Sequence, residues 1–208
     1  MEIEKVNDFW VPSNDIHIEQ WRQGQPFTQN KCLNNFIKYC ESQNKKMRTV
    51  IDVGAWCGTW TKAMEPFAKK IVAFEPDLVH FECLQRNCTI NCTPRMQAVG
   101  SAKGFVSLTS DDFTQAKRVD KTGDIQIVTL DSMEYKDVDM IKIDVEGYEM
   151  EVLKGATRLL ESVKFLMIEL NNNTKKYGSN NLQVEKFISE RGFKLLMDHW
   201  PDKVFYRG

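Results

Sequence analysis

The chain alternates between short apolar runs and stretches in which apolar residues recur at helical spacing. Four runs rich in β-branched and other apolar residues, at residues 50–53, 71–74, 138–143 and 164–170, are typical of strands covered on both faces. A shorter run at residues 95–99 predicts a third strand, so that the run at 138–143 becomes the fourth strand along the chain and the run at 164–170 the fifth. Because helical stretches separate these strands, the pattern favours a parallel sheet with helices packed on it.

Capping residues mark where several helices begin. Thr28 is a good N-cap for a helix that runs to about Ser42, and Thr59 caps the helix after the first strand, which a proline should end at Glu65. Asp77 is placed to cap the helix after the second strand. The predicted buried face of that helix consists of Leu78, Phe81, Leu84 and Cys88. Two later helices have apolar faces made of Met150, Leu153, Ala156, Leu159, Leu160 and Val163 in one and of Val184, Phe187 and Ile188 in the other.

Three segments depart from this pattern. Residues 1–27 show no clear period and predict an irregular arm. Residues 105–108 and 125–130 predict a hairpin-like insertion with a charged tip that includes Asp111 and Asp112, and the C-terminal residues predict a closing hairpin. We therefore predict a single α/β domain over residues 1–208, with an arm at 1–27, a helix at 28–44 that covers the sheet, and a core at 48–208. The core should be a Rossmann-like doubly wound sheet of about seven strands, mostly parallel, with an antiparallel C-terminal hairpin strand.

Composition restricts the class of protein further. The 208 residues are 42% hydrophobic, which is enough for one domain with a sizeable core. The formal charge is −1 and the pI is about 6.3 without a long basic run, so no nucleic-acid partner is expected. No apolar run reaches about eighteen residues, and residues 1–25 do not resemble a leader sequence. We therefore expect no membrane partner and a cytoplasmic location.

The cysteines are expected to be free thiols. They are Cys32, Cys40, Cys57, Cys83, Cys88 and Cys92. No Cys-x-x-Cys pair occurs, and a chain of this size does not need disulfides for stability. The spacing of the last three matches no common zinc pattern, and the last two are separated by one helical turn.

The first strand runs into a turn with two glycines, and the second strand ends in a carboxylate. Gly54 and Gly58 permit a sharp turn and a close approach of the backbone to a ligand. Glu75 follows about twenty residues later, where a carboxylate can bind the two hydroxyls of a ribose. The turn lacks the spacing of a dinucleotide fingerprint and has no nearby cation for a pyrophosphate. The pattern therefore favours a cationic, phosphate-free adenosine cofactor, and S-adenosylmethionine fits that description.

The remaining strand ends are mostly acidic. Asp144 and Glu146 lie two residues apart after the fourth strand, so both side chains can point toward the reacting group. One of them can act as general base on a substrate hydroxyl, or the pair can orient it. The alternative is that they bond backbone amides at the next helix start, with Lys142 on the opposite side. His199 is a second candidate base, although a single histidine in a hairpin is more often structural.

Longer motifs resemble the FkbM family of class I S-adenosylmethionine-dependent methyltransferases. They are Asp52-Val-Gly-Ala-Trp-Cys-Gly58, Phe74-Glu-Pro76, Thr129-Leu-Asp131, Lys142-Ile-Asp-Val-Glu-Gly147 and Leu153-Lys-Gly-Ala156. The resemblance implies that Asp52, Gly54, Ala55 and Gly58 line the methionine end of the cofactor. It also implies that Glu75, with Pro76 beside it, binds the ribose, and that Ala98 and Val99 flank the adenine. Trp56 replaces the asparagine that is usual in the family.

These features predict an S-adenosylmethionine-dependent methyltransferase that acts on a hydroxyl of a small molecule or glycan. A nicotinamide-dependent oxidoreductase on the same type of sheet is the main alternative, and a non-catalytic cofactor-binding module is another. Asp144, Glu169 and Asn171 occupy positions at which some related enzymes hold a divalent cation. We nevertheless predict no metal, because Glu169 lies inside an apolar run and the family is not defined by a metal site.

Overall fold

The computed structural model describes residues 2–25, 30–110 and 117–208. In chain order, the strands and helices are β1 (Ile3–Val6), β2 (Phe9–Pro12), α1 (Ile18–Arg22), α2 (Lys31–Ser42), β3 (Met47–Val53), α3 (Thr59–Met64), β4 (Ala68–Phe74), α4 (Leu78–Asn87), β5 (Cys92–Arg95), β6 (Ala98–Val99), β7 (Gly104–Ser110), β8 (Lys117–Val128), β9 (Val138–Ile143), α5 (Glu149–Lys154), β10 (Phe165–Glu169), α6 (Asn181–Ser189), β11 (Lys194–His199) and β12 (Asp202–Tyr206).

A seven-stranded sheet forms the centre of the molecule. Its strand order is β5-β4-β3-β9-β10-β12-β11. The first five strands in this order are parallel, while β12 runs antiparallel to both β10 and β11. The predicted Rossmann-like fold with an antiparallel C-terminal hairpin strand is therefore confirmed. Since the parallel strands share one direction, their carboxyl ends meet at the same edge of the sheet.

The edge of this sheet differs from the prediction. The predicted strand at residues 95–99 does not form a strand of the sheet, and its place beside β4 is taken by β5, which ends at Arg95. Pro94 is tolerated in β5 because an edge strand leaves one row of backbone groups unpaired. Ala98 and Val99 form β6, which pairs with β8 in a separate three-stranded sheet. The predicted hairpin insertion is present in that sheet as β7 and β8, but its tip at Asp111 and Asp112 lies outside the described residues.

Helix α2 covers one face of the central sheet. Its buried side chains Cys32, Leu33 and Phe36 pack in one cluster with residues of β3, β4, β9, β10 and β12. The helix ends at Ser42 as predicted. Its N-cap is Asn30, whose side chain accepts the Leu33 N–H at 2.8 Å, whereas Thr28 lies outside the described residues.

Other helix predictions were partly wrong. Gly58 rather than Thr59 is the N-cap of α3, because the chain enters this helix through a positive φ of 91°. Asp77 does cap α4, accepting the N–H groups of the first turn. The buried face of α4 consists of Cys83, Leu84 and Asn87, while Leu78 is 67% exposed. The reason is that α4 packs against the N-terminal arm as well as against the sheet, and the periodicity of the helix does not reveal this second contact.

The helix after β9 is shorter than predicted. It ends at Lys154, and the chain continues through turns and a 3-10 segment at Leu159–Glu161. A side chain on the next residue, Gly155, would lie 1.9 Å from the carbonyl oxygen of Gly100, so the chain passes another backbone too closely for a bulkier residue. The predicted apolar residues beyond this point are still buried, in the larger core cluster of the sheet.

Residues 2–25 of the N-terminal arm contain regular secondary structure, so the prediction of an irregular arm was wrong for them. Strands β1 and β2 form an antiparallel hairpin, and α1 follows it. Asn87 of α4 bonds both backbone groups of Trp10, with its Oδ1 accepting the N–H and its Nδ2 donating to the carbonyl, each at 2.8 Å. The arm is therefore attached to α4 by hydrogen bonds between the Asn87 side chain and the backbone of the arm as well as by apolar contacts.

Two expectations from composition also have structural outcomes. Cys88 and Cys92 are joined in a disulfide, so the expectation of six free thiols was wrong for this pair. They are not on one helical turn, because α4 ends before Cys88 and β5 begins at Cys92. The other cysteines are free and buried. Within the described part of the chain, no helix combines the length and apolar character that a membrane span requires.

Candidate functional site

A cleft of about 410 Å³ lies where the parallel strands end. It is bounded by the loops after β3, β4, β9 and β10, by β6, and by part of the arm. The residues that line the cleft include Val53, Gly54, Ala55, Trp56, Glu75, Pro76, Ala98, Val99, Lys142, Asp144, Glu146, Tyr148, Glu169 and Asp202. Most residues that sequence analysis assigned to a site therefore meet at this cleft.

The glycine turn after β3 forms one wall. Gly54 has a positive φ of 78°, and a Cβ at this position would lie 1.7 Å from the carbonyl oxygen of Asp144. The N–H groups of Gly54 and Ala55 both donate to the carbonyl of Phe74, at 3.0 and 2.9 Å. Only glycine fits where β3 and β9 approach so closely, and the fit brings the turn and Asp144 together.

Glu75 stabilises the same turn. Its Oε2 accepts the Trp56 N–H and its Oε1 accepts the Asp77 N–H, each at 2.9 Å. The residue is only 6% exposed, yet it lines the cleft. Trp56 has a positive φ of 50°, which is uncommon for a residue with a bulky side chain. The carboxylate of Glu75 thus supports the strained turn and faces the cleft.

Two residues assigned to the cofactor lie beneath the cleft rather than on its surface. Asp52 is fully buried, accepts the Thr61 hydroxyl at 2.5 Å and pairs with Lys142 Nζ at 3.2 Å. Gly58 packs against α4, where a Cβ would meet the Leu84 side chain at 2.8 Å. Both residues therefore support the glycine turn from the protein interior and do not line the cleft.

Lys142 lies at the centre of the site, although the sequence alternative placed it on the opposite side from Asp144. Its Nζ donates to the Gly54 carbonyl at 2.6 Å and lies 3.2 Å from Asp52 and 3.4 Å from Asp144. Residues two apart on a strand share a face, so Lys142 and Asp144 point the same way. Burial disfavours the charged form of Lys142, but the two carboxylates outweigh this effect and raise its pKa. The ammonium therefore stays charged and links β3, the turn and Asp144.

A cluster of carboxylates lines another part of the cleft. Oxygen atoms of Asp144, Glu146 and Glu169 all lie within 4.8 Å of one another. Burial and the charges of Asp144 and Glu146 raise the pKa of Glu169 to about 9, and burial followed by the Asp144 charge raises the pKa of Glu146. Asp202 lies nearby, and burial together with Asp144 raises its pKa to about 6. Glu169 therefore retains at neutral pH a proton that an isolated carboxyl group loses well below neutral pH.

Asparagine side chains hold this cluster in place. Asn173 Nδ2 donates to Glu146 Oε2 at 2.9 Å, and Asn171 Nδ2 donates to Glu169 Oε2 at 2.8 Å. Glu146 has a positive φ of 55°, so its backbone is also held in an uncommon conformation. The three carboxylates offer oxygen ligands of the kind that Mg²⁺ binds, and one oxygen of each accepts a hydrogen bond from an asparagine or pairs with Lys142.

The second candidate base is directed elsewhere. His199 Nε2 lies 2.7 Å from Asn35 Nδ2, and the residue is not among those that line the cleft. Its contact joins β11 to α2. The structural interpretation of His199 therefore agrees with the geometry better than a catalytic one.

The N-terminal arm also contributes residues to the cleft, which the sequence pattern did not predict. Asp15, His17 and Trp21 line the cleft. The Trp21 and Trp56 ring centroids are 5.7 Å apart, so the arm packs on the glycine turn at the position that departs from the usual motif. A strand pattern cannot reveal this contact, because it joins segments that are far apart in sequence.

Comparisons with known proteins agree on one family. The family model described as the methyltransferase FkbM domain matches residues 52–195, more than half of the chain. The hexuronic acid methyltransferase AglP of Haloferax volcanii is 30% identical over 150 residues, which cover 67% of this chain and 60% of that protein. The chain thus spans less than two thirds of the length of this relative.

Solved structures are similar in fold. The methyltransferase FkbM from Methylobacillus flagellatus KT has a TM-score of 0.57 at 17% identity, with 77% of this chain and 43% of that chain covered. The magnesium protoporphyrin IX methyltransferase ChlM from Synechocystis PCC 6803, solved with bound S-adenosylmethionine, has a TM-score of 0.54 at 10% identity, with 94% and 93% covered. The segment that matches the family model contains the glycine turn, Glu75, Lys142 and the carboxylate cluster. The chain belongs to the FkbM methyltransferase family.

Proposed function

We propose that this chain is a methyltransferase that uses S-adenosylmethionine and transfers the methyl group to a hydroxyl of a sugar or another small molecule. The observation that carries the proposal is the charge of the cleft beside the glycine turn. Among the described residues that line the cleft, Lys142 is the only lysine or arginine, and its charge is balanced by Asp52 and Asp144. Such a cleft favours a cationic adenosine cofactor and disfavours the diphosphate of a nicotinamide cofactor.

The residues present fit S-adenosylmethionine. Gly54 and Ala55 line the cleft on the side where the methionine part would lie. Glu75, with Pro76 next to it, is placed to accept hydrogen bonds from the ribose hydroxyls, and the buried pair Ala98 and Val99 provides an apolar wall for the adenine. When bound, the cofactor supplies an electrophilic methyl group on a sulfonium.

The carboxylate cluster is the proposed acceptor site. Because the pKa of Glu169 is raised to about 9, this side chain holds a proton at neutral pH and can donate a hydrogen bond to the acceptor. Asp144 and Glu146 are then the groups that orient the acceptor hydroxyl and take its proton. Most of the rate enhancement should come from holding the hydroxyl in line with the transferred methyl group. The hexuronic acid methyltransferase relative supports a sugar acceptor.

Calorimetric titration tests the cofactor. The chain should bind S-adenosylmethionine and S-adenosylhomocysteine and should not bind NAD. Tighter binding of NAD than of S-adenosylhomocysteine would overturn the proposal in favour of an oxidoreductase. A screen of hexuronic acids, neutral sugars and small alcohols with methyl-labelled cofactor then identifies the acceptor class, and cofactor binding without transfer to any acceptor would favour a non-catalytic module.

Glu75→Ala should weaken S-adenosylhomocysteine binding by about 1–3 kcal/mol, because a charge-assisted hydrogen bond to the ribose is lost. The variant also loses the acceptor for the Trp56 and Asp77 N–H groups, so its melting temperature should fall as well. To separate the two effects, affinity is also measured for an S-adenosylhomocysteine analogue without the two ribose hydroxyls. The loss should disappear with this analogue, and Glu82→Ala, which changes an exposed carboxylate on α4, should bind both ligands normally. An equal loss with both ligands would assign Glu75 to the turn alone.

Methyl transfer should survive EDTA once an acceptor is known. The reason is that Asn171, Asn173 and Lys142 engage one oxygen of each carboxylate and that Glu169 holds a proton, which a divalent cation would have to displace. The measurement compares turnover before and after chelation. Loss of turnover on chelation that Mg²⁺ restores in the wild type, but not in Asp144→Asn or Glu169→Gln, would make these carboxylates metal ligands.

A further inference from the structure

Asp15 is a buried carboxylate with unused hydrogen-bonding capacity. The residue is 3% exposed and lines the cleft. Its Oδ1 accepts the His17 N–H at 2.8 Å, while its Oδ2 has no hydrogen-bond partner within the described structure. A buried carboxylate without a partner is costly, so a protein that keeps one facing a cleft usually has a ligand group for it.

The backbone around Asp15 is fixed. Its N–H donates to the Pro12 carbonyl at 3.2 Å, and its carbonyl accepts the Ile18 N–H at 3.1 Å, so it occupies a tight turn between β2 and α1. The arm that carries this turn is bonded to α4 through Asn87 and packs on Trp56 through Trp21. The carboxylate is therefore held in position by the fold and is not a freely moving surface group.

The arm contacts the glycine turn. Asn87 Nδ2 donates to the Cys57 carbonyl at 2.8 Å as well as to Trp10, which ties the arm and the turn to one side chain. In the proposed cofactor arrangement, this turn contacts the methionine part. Lys142, the lysine that lines the cleft, is not the counter-charge of Asp15. Its ammonium group pairs with Asp52 and Asp144 and donates to the Gly54 carbonyl.

We propose that Asp15 binds the α-ammonium group of the methionine part of the cofactor, so that the N-terminal arm contributes a residue to the cofactor site. This inference rests on the proposed use of S-adenosylmethionine. The ammonium is the cation at the end of the methionine chain, whereas the sulfonium has to stay accessible to the acceptor. A charge-assisted hydrogen bond to the ammonium would satisfy Oδ2 and would close the arm over the methionine end.

The test compares ligands with and without the ammonium. Asp15→Asn keeps an oxygen that can accept the His17 N–H, removes the charge and replaces the unpartnered oxygen with an amide nitrogen. Calorimetric affinities are measured for S-adenosylhomocysteine and for 5′-methylthioadenosine, which retains the adenine, the ribose and the sulfur but lacks the amino-acid group. Asp15→Asn should weaken S-adenosylhomocysteine binding about 10- to 100-fold and change 5′-methylthioadenosine binding by less than about 2-fold.

Asp8→Asn is the matched control. It makes the same chemical change on the same arm, but Asp8 has a side chain that is 94% exposed, where it pairs with Lys5 at 2.9 Å. Both ligands should bind this variant as they bind the wild type. Melting temperatures of both variants show whether the arm remains folded.

The outcomes separate this inference from the proposed function. If the wild type binds S-adenosylhomocysteine but Asp15→Asn binds it equally well, or weakens both ligands alike, the role of Asp15 is overturned and the cofactor assignment stands. If the wild type binds neither S-adenosylmethionine nor S-adenosylhomocysteine, the proposed function fails and the inference fails with it.

Discussion

Lys142→Met should lower the free energy of unfolding by about 3–5 kcal/mol, because it leaves a buried carboxylate without its counter-charge. Asp52 is fully buried, and Lys142 is the cation that lies 3.2 Å from it. The variant also loses the hydrogen bond from Nζ to the Gly54 carbonyl, which joins β9 to the glycine turn. Chemical denaturation measures the loss, and cofactor titration of the same variant shows whether the turn keeps its shape.

Two further variants identify the cause. Adding Asp52→Asn to Lys142→Met should recover much of the lost stability, because no uncompensated charge then remains in the core. Lys164→Met removes a lysine whose side chain is 57% exposed beside Asp139, and it should cost less than about 1 kcal/mol. A loss in the double variant as large as in Lys142→Met would show that packing, not charge, sets the contribution of Lys142.

The stability of Lys142→Met should also depend on pH more strongly than that of the wild type. Burial raises the pKa of Asp52, and Lys142 opposes this effect in the wild type. Without the lysine, folded Asp52 binds a proton more tightly than unfolded Asp52, so the stability of the variant rises as the pH falls. The difference from the wild type should therefore be smaller at about pH 5 than at about pH 8.

The strands of the central sheet were predictable because both of their faces are buried. Double-sided burial produces continuous apolar runs such as those in β3, β9 and β10, and these runs depend little on distant contacts. Strand β5 was misplaced by a few residues because it is an edge strand with a proline and only partly buried side chains. Local pattern therefore predicted the centre of the sheet better than its edge.

The cleft was partly predictable for a related reason. Gly54, Glu75 and Asp144 all follow strand ends, and the carboxyl ends of parallel strands meet at one edge. The sequence also predicts that Lys142 faces the same way as Asp144, because it lies two residues before Asp144. Its pairing with Asp52 could not be predicted, because that contact depends on the register of β3 against β9.

The contribution of the arm was not predictable from local pattern. Its order depends on pairing between Trp10 and Asn87, which are 77 positions apart in sequence. Asp15 consequently looked like any other polar residue of an irregular segment. The residue became informative only when its burial and its place in the cleft were known.

Gly54→Ala should abolish measurable S-adenosylhomocysteine binding and destabilise the fold by about 2–5 kcal/mol. Two effects combine at this position. The backbone has a positive φ of 78°, which is unfavourable for alanine, and the added Cβ would lie 1.7 Å from the carbonyl oxygen of Asp144. Because that oxygen belongs to backbone, the strain cannot be relieved by rotating a side chain. The turn and the exit of β9 must separate, which also displaces Asp144 from the cleft.

Gly178→Ala separates the two effects. Gly178 has a nearly identical φ of 76°, but a Cβ there would have nothing within 4 Å. This variant should lose about 1–2 kcal/mol, the cost of the backbone conformation alone, and should bind S-adenosylhomocysteine normally. The excess loss in Gly54→Ala, measured by denaturation under the same conditions, then reports the close approach of the turn to Asp144. Equal losses in the two variants, or normal binding by Gly54→Ala, would show that this approach relaxes easily and does not shape the cofactor site.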